Sequence, residues 1–163
     1  MAPLLSGLYN LQIRDSDTPE GFIGGEYATA RAPGETVFLQ PESIKGQVWN
    51  VTIEREVEGG YIINLQAKDI NADESRTYLH NERNEPQVPL ILSGRKAFKA
   101  QHEKYIGQIG IYSLLPTDIE PGPVGVTLYV GRGRGNEVAL QAVPVVEHPP
   151  PHPVWAFTPL HKD

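Results

Sequence analysis

Apolar and polar residues alternate along most of this chain, and that alternation sets the first expectation. "GLYNLQI", "GYIINLQ" and "IGIYSLL" each read with a period of two, the period of a half-buried strand. No stretch carries the longer period of an amphipathic helix. The pattern predicts an all-β chain.

The three segments also resemble one another. Aligning Tyr9-Asn10-Leu11 with Ile63-Asn64-Leu65 and Tyr112-Ser113-Leu114 gives steps of 54 and 49 residues. Three aromatic segments, "QVWNVTI", "KAFKAQH" and "PVWAFTP", close the same units, with Trp49, Phe98 and Trp155 at steps of 49 and 57. Between opening and closing strands each unit has room for a hairpin: "EYATARAPGETVFLQ", "RTYLHNERNEPQVPLIL" and "VTLYVGRGRGNEVALQ". Four strands in each of three units predict twelve strands, in units at about 7–57, 59–105 and 107–160 of a single domain over 1–163. One such unit cannot bury its own apolar face, so three close around a shared axis. The fold expected is a β-trefoil, a six-stranded barrel capped by three hairpins, with Trp49, Phe98 and Trp155 buried in equivalent places.

Composition narrows the function. Sixteen glycines and 15 prolines, scattered through 163 residues, suit short strands joined by tight turns. A net charge of −6, from 20 acidic and 14 basic residues, gives no gain from releasing counterions at a phosphate backbone, which argues against nucleic acid. No apolar run approaches the roughly 20 residues that span a bilayer, so no membrane partner is expected. "MAPLLSGLYN" lacks the basic segment and apolar core of a signal peptide, and the expectation is a cytoplasmic monomer. Cysteine is absent, which removes disulfides and thiol chemistry. His80, His102, His148, His152 and His161 show no metal-ligand spacing, so neither metal nor cofactor is expected. "GRGRG" at 131–135 leads into the strand-like "NEVALQAVP" rather than the helix a phosphate cradle needs, and no nucleophile elbow occurs. The chain reads as a binding protein and not an enzyme.

A "G-x-Y" opening strand, the internal "VWNV", the closing "VWAFTPL", the lack of cysteine and a length near 160 resemble the fungal β-trefoil protease inhibitors. The resemblance is greatest to the mushroom trypsin-inhibitor group, the mycospins, with the mycocypins, which inhibit cysteine proteases, as relatives. These are core features, so they bear on fold more directly than on function. What the resemblance implies is a protein inhibitor of a trypsin-like serine protease acting through an exposed loop, with cysteine proteases or asparaginyl endopeptidase as the alternative targets.

Such a loop must be exposed, stiff and basic at P1, because trypsin-like S1 pockets end in an aspartate. "T-A-R-A-P-G" fits, with Arg31 at P1, small Ala30 and Ala32 beside it, and Pro33 fixing φ at P2′. Arg132 and Arg134 in "GRGRGN" are secondary candidates, since their glycines are expected to leave the segment flexible. Arg83 is crowded by Glu82 and Glu85. Some trefoil relatives meet asparaginyl endopeptidase through an asparagine in the second unit, where Asn71, Asn81 and Asn84 lie. A lectin is the other reading. Gln47-Val48-Trp49 matches the Q-x-W pattern of ricin-type units, and Asp15, Asp69 and Asp118 each lie four residues beyond the aligned Leu11, Leu65 and Leu114, where they leave equivalent opening strands. Trefoil lectins hold sugar with a similarly placed aspartate, but aspartate also begins turns.

Overall fold

Residues 4–19, 25–68, 70–117 and 124–160 are described by the computed structural model. Among them lie twelve strands and one short 3-10 turn, Glu74–Arg76. β1 (Gly7–Asp15), β2 (Glu26–Thr29), β3 (Phe38–Pro41) and β4 (Trp49–Val57) form the first set of four. β5 (Gly60–Ala67), β6 (Tyr78–His80), β7 (Ile91–Ser93) and β8 (Phe98–Ile106) form the second. β9 (Ile109–Pro116), β10 (Val126–Arg132), β11 (Val138–Pro144) and β12 (Pro153–Pro159) form the third. The all-β, twelve-stranded expectation matches the chain.

The first and last strands of each set pair antiparallel, and each last strand pairs with the first strand of the next set. The six therefore close a ring, which leaves no free sheet edge among them. Their registers repeat: Tyr9 faces Trp49, Ile63 faces Phe98, and Tyr112 faces Trp155. A bulge breaks the β4–β5 ladder between Ile53 and Arg55, and another breaks β8–β9 between His102 and Lys104. These two sit at matching positions, separated by the same step as Trp49 and Phe98.

Alternation fills the ring. Leu11, Leu65 and Leu114 are buried, as are Trp49, Phe98 and Trp155. A buried indole N–H needs an acceptor. Trp49 Nε1 donates to Ala28 O at 3.0 Å and Trp155 Nε1 to Val130 O at 2.8 Å, so each tryptophan ties its barrel strand to its own hairpin. Phe98 holds the third position with nothing to satisfy.

The hairpins β2–β3, β6–β7 and β10–β11 cover one end of the ring. Three backbone bonds link them in a cycle: Val37 N to Leu90 O (2.9 Å), Leu90 N to Val138 O (2.8 Å) and Val138 N to Val37 O (2.8 Å). All three residues are buried. Each hairpin thus satisfies a buried donor of another, which no hairpin could do alone.

Candidate functional site

Two exposed segments meet beside the first hairpin. Ala30, just past β2, donates its N–H to Gly46 O at 2.8 Å. Gly46 has φ +97°, and a Cβ there would stand 2.0 Å from Ala30 O, so only glycine permits this approach. The neighbouring Gln47 is buried, and its amide donates to Pro41 O at 2.7 Å and Thr29 Oγ1 at 3.1 Å. Gln47 thereby closes the loop from β3 to β4 and seats it on the chain that leaves β2. What remains outside is Glu42, Ser43, Ile44 and Lys45, with Ile44 42% exposed and Ser43 held at φ 72°.

Arg31 directly follows Ala30, the donor of that bond, and is exposed. The turn after it is held by Glu35 N to Ala32 O (3.1 Å) and Gly34 N to Leu92 O (2.7 Å). Arg31 and Lys45 have no ion-pair partner among the described residues. The result is a stiff face with two free cations and an exposed isoleucine on a protein of net charge −6. A face ordered in advance would lose little conformational freedom on meeting a partner. Sequence reasoning overlooked its second half. The available signal was a lone isoleucine among polar residues, directly before Gly46-Gln47.

Of the four residues expected to present a substrate-like segment, Arg31 alone is exposed. Ala30 is buried (2%) with its amide committed to Gly46, and Ala32 and Pro33 are half-buried. The segment through Arg31 is therefore knitted to its neighbours on both sides.

The "GRGRGN" segment differs from its expected flexibility. Arg132 Nη2 pairs with Glu26 Oε1 at 2.8 Å and Arg132 Nη1 bonds Asn136 Oδ1, while Asn136 Nδ2 reaches Glu26 Oε2 (2.9 Å) and Leu39 O (2.7 Å). Gly133 N and Gly135 N both donate to Glu137. The glycines serve a tight turn that side chains lock. Burial pushes the Glu26 carboxyl up, but hydrogen bonds from Asn136 and Arg132, and the Arg132 charge, outweigh it and hold the group below its ordinary value. Arg134 stays exposed, and Arg83 pairs with Glu85 at 3.7 Å.

The asparagines separate by burial. Asn81 is fully buried, and its amide nitrogen donates to Arg83 O and to Asn84 Oδ1 at 2.9 Å, which turns the Asn84 oxygen inward. Asn71 is exposed. It precedes the 3-10 turn capped by Asp73, whose carboxyl is held low by hydrogen bonds from the Ser75 N–H and hydroxyl.

Among the aspartates, Asp15 is exposed on the rim of a cavity of about 620 Å3 that Arg134 and Gln141 also line. Asp69 and Asp118 fall outside the described residues, as does His161. The glutamine of Q-x-W is spent on the protein's own backbone. His152 meets Glu103 at 3.3 Å and stacks on Tyr129 at 4.6 Å, and His80 faces Gly94 O at 3.0 Å. No cluster able to hold a metal occurs among the described residues.

Comparison with known proteins agrees with a binding role. A family model described as "Peptidase inhibitor clitocypin" matches residues 7–157. Clitocypin-2 of Clitocybe nebularis is 30% identical over 164 residues, covering 97% of this chain and 99% of the relative. Clitocypin-4/-3 of the same fungus is 29% identical over 97% of the chain and 99% of the relative. Clitocypin itself is 29% identical over 95% and 98%. These relatives carry the resemblance to fungal protease inhibitors, which are not enzymes, but not its finer placing in the mycospin group or the serine-protease class. From end to end of its described strands, this chain belongs to the clitocypin family of peptidase inhibitors.

Proposed function

We propose that this inhibitor acts on cysteine peptidases, through the joined face of Arg31 and Ser43–Lys45, on a β-trefoil scaffold. The target class is supported by family membership, together with the resemblance to the mycocypins. The scaffold reading is supported by the closed ring of six strands, the three capping hairpins and the repeating register.

The single observation that carries the site is the Ala30–Gly46 bond, which fuses two exposed tips into one rigid surface. A substrate lies extended in a peptidase cleft with its backbone groups free to bond the enzyme. Here the N–H groups of Ala30 and Gly34 are already spent, so the face covers the cleft instead of threading through it. Such an inhibitor is not cut at Arg31.

The test is a titration of papain, trypsin and legumain, followed by mass analysis of the inhibitor. Papain is expected to be inhibited with the chain intact, and Ile44→Asp to raise the inhibition constant roughly tenfold or more, as removing an apolar anchor does. Trypsin inhibition that disappears in Arg31→Ala, with papain unaffected, would restore the serine-protease reading. A second target, asparaginyl endopeptidase, is favoured by the exposure of Asn71 where Asn81 and Asn84 are bonded inward. Asn71→Ala should then abolish legumain inhibition and leave papain inhibition intact.

A further inference from the structure

β4 begins at Trp49, which bonds Ala28 beneath the cap, and ends at Val57, so its turn into β5 lies at the far end of the barrel. There a cavity of about 210 Å3 opens among Glu56, Gly59, Tyr61, His102, Tyr105 and Tyr112. The bulge after His102 turns this part of β8 toward the turn, and His102 N donates to Gly59 O at 3.0 Å. Gly60 lets the strands approach, since a Cβ on it would stand 2.0 Å from Ala100 O. The His102 ring lies 4.4 Å from Tyr105 and 5.4 Å from Tyr112.

The lining has a consistent chemistry. The half-buried Tyr61, Tyr105 and His102 give the cavity an aromatic lining over the buried Tyr112, and aromatic faces carry negative charge density. Glu56 adds a carboxylate that has no ion-pair partner among the described residues. No lysine or arginine lines the cavity among those residues. His102 Nε2 is buried and without a hydrogen-bond partner there. Burial, and then the neighbouring Tyr105, Tyr61 and Tyr9, push the Tyr112 phenol up, so its ring stays neutral.

We infer that this cavity binds a small substituted ammonium ion of the choline or methylated-amine type, with the half-buried Tyr61 and Tyr105 against the cation and Glu56 as its counter-charge. A cation over aromatic faces beside a carboxylate is the arrangement that recognises quaternary ammonium groups. The volume suits a head group rather than a drug-sized ligand, whose pockets start near roughly 300 Å3. A sugar would need several convergent donors, and the polar side chains here besides the phenols are one carboxylate and one imidazole. The site lies at the opposite end from the Arg31–Lys45 face and is independent of the inhibitory reading.

The experiment is an NMR titration of the full chain with choline chloride and, in parallel, with its neutral carbon isostere 3,3-dimethylbutan-1-ol. Choline should produce saturable shifts at Gly59, Tyr61, Tyr105 and Tyr112, with the isostere roughly tenfold weaker or worse. Glu56→Gln, an exposed substitution, should weaken choline binding severalfold without changing thermal stability or peptidase inhibition. Tyr105→Leu should weaken it about tenfold. Absence of saturable shifts with choline, equal binding of the isostere, or undiminished binding in Glu56→Gln would each overturn the inference.

Discussion

Gly46 shows how much one residue can decide. Its φ of +97° is unfavourable for side chains, and any Cβ meets the Ala30 carbonyl at 2.0 Å. Gly46→Ala must therefore strain the backbone and push the β3–β4 loop off its seat. We expect a loss of about 3 kcal/mol, read by urea denaturation, and a weaker inhibitor. Trp49 makes a second test of the same kind. Trp49→Ala should cost about 3–5 kcal/mol as a large core deletion. Trp49→Phe should cost about 1–3 kcal/mol, chiefly because Ala28 O loses its buried donor. The aromatic trio was legible in the sequence because alternation and a repeated step both mark it. Gly46 was not, because its reason for being glycine is a carbonyl in another loop.

Among the elements, the β10–β11 hairpin is held to β2 by charge. The Glu26 carboxyl, bonded by Asn136 and Arg132, sits below its ordinary value of 4.5. A depressed carboxylate contributes stability that is present above the unfolded value and lost as pH falls through the folded one. The thermal midpoint of the parent should thus exceed that of Glu26→Gln at neutral pH, and the gap should close below about pH 4.5. The gap should be small and shrink with salt, because Arg132 and Glu26 are 42% and 34% exposed. A gap that widens in acid would contradict the assignment. Sequence reading found both strands of this hairpin from their alternation but took its glycines for flexibility. Glu26 and Asn136 are far apart along the chain, and no local pattern announces that they meet. The hairpin around Arg31 was likewise found correctly as an element, while the burial of Ala30 depends on a loop that only the folded chain brings near.

For the whole molecule, three units that cannot stand alone should unfold together. The amides of Val37, Leu90 and Val138 bond in a cycle across the three hairpins and can open only when the cap does. Native-state hydrogen exchange should give all three nearly the same opening free energy, close to the global value, while the exposed 42–45 tip exchanges far faster. Distinct values for the three would mean that one hairpin detaches by itself. The closed ring of paired strands could be anticipated from the repeat, since a unit with one apolar face must bury it against the others. The proposed inhibitory face could not, because it is made by two loops that meet in space. The most direct test of the account is the inhibition constant for papain of the parent and of Ile44→Asp, measured beside trypsin. The account predicts that the parent inhibits papain, stays uncut, and loses roughly tenfold or more of that inhibition in Ile44→Asp. A parent that leaves papain active while blocking trypsin through Arg31 would contradict it.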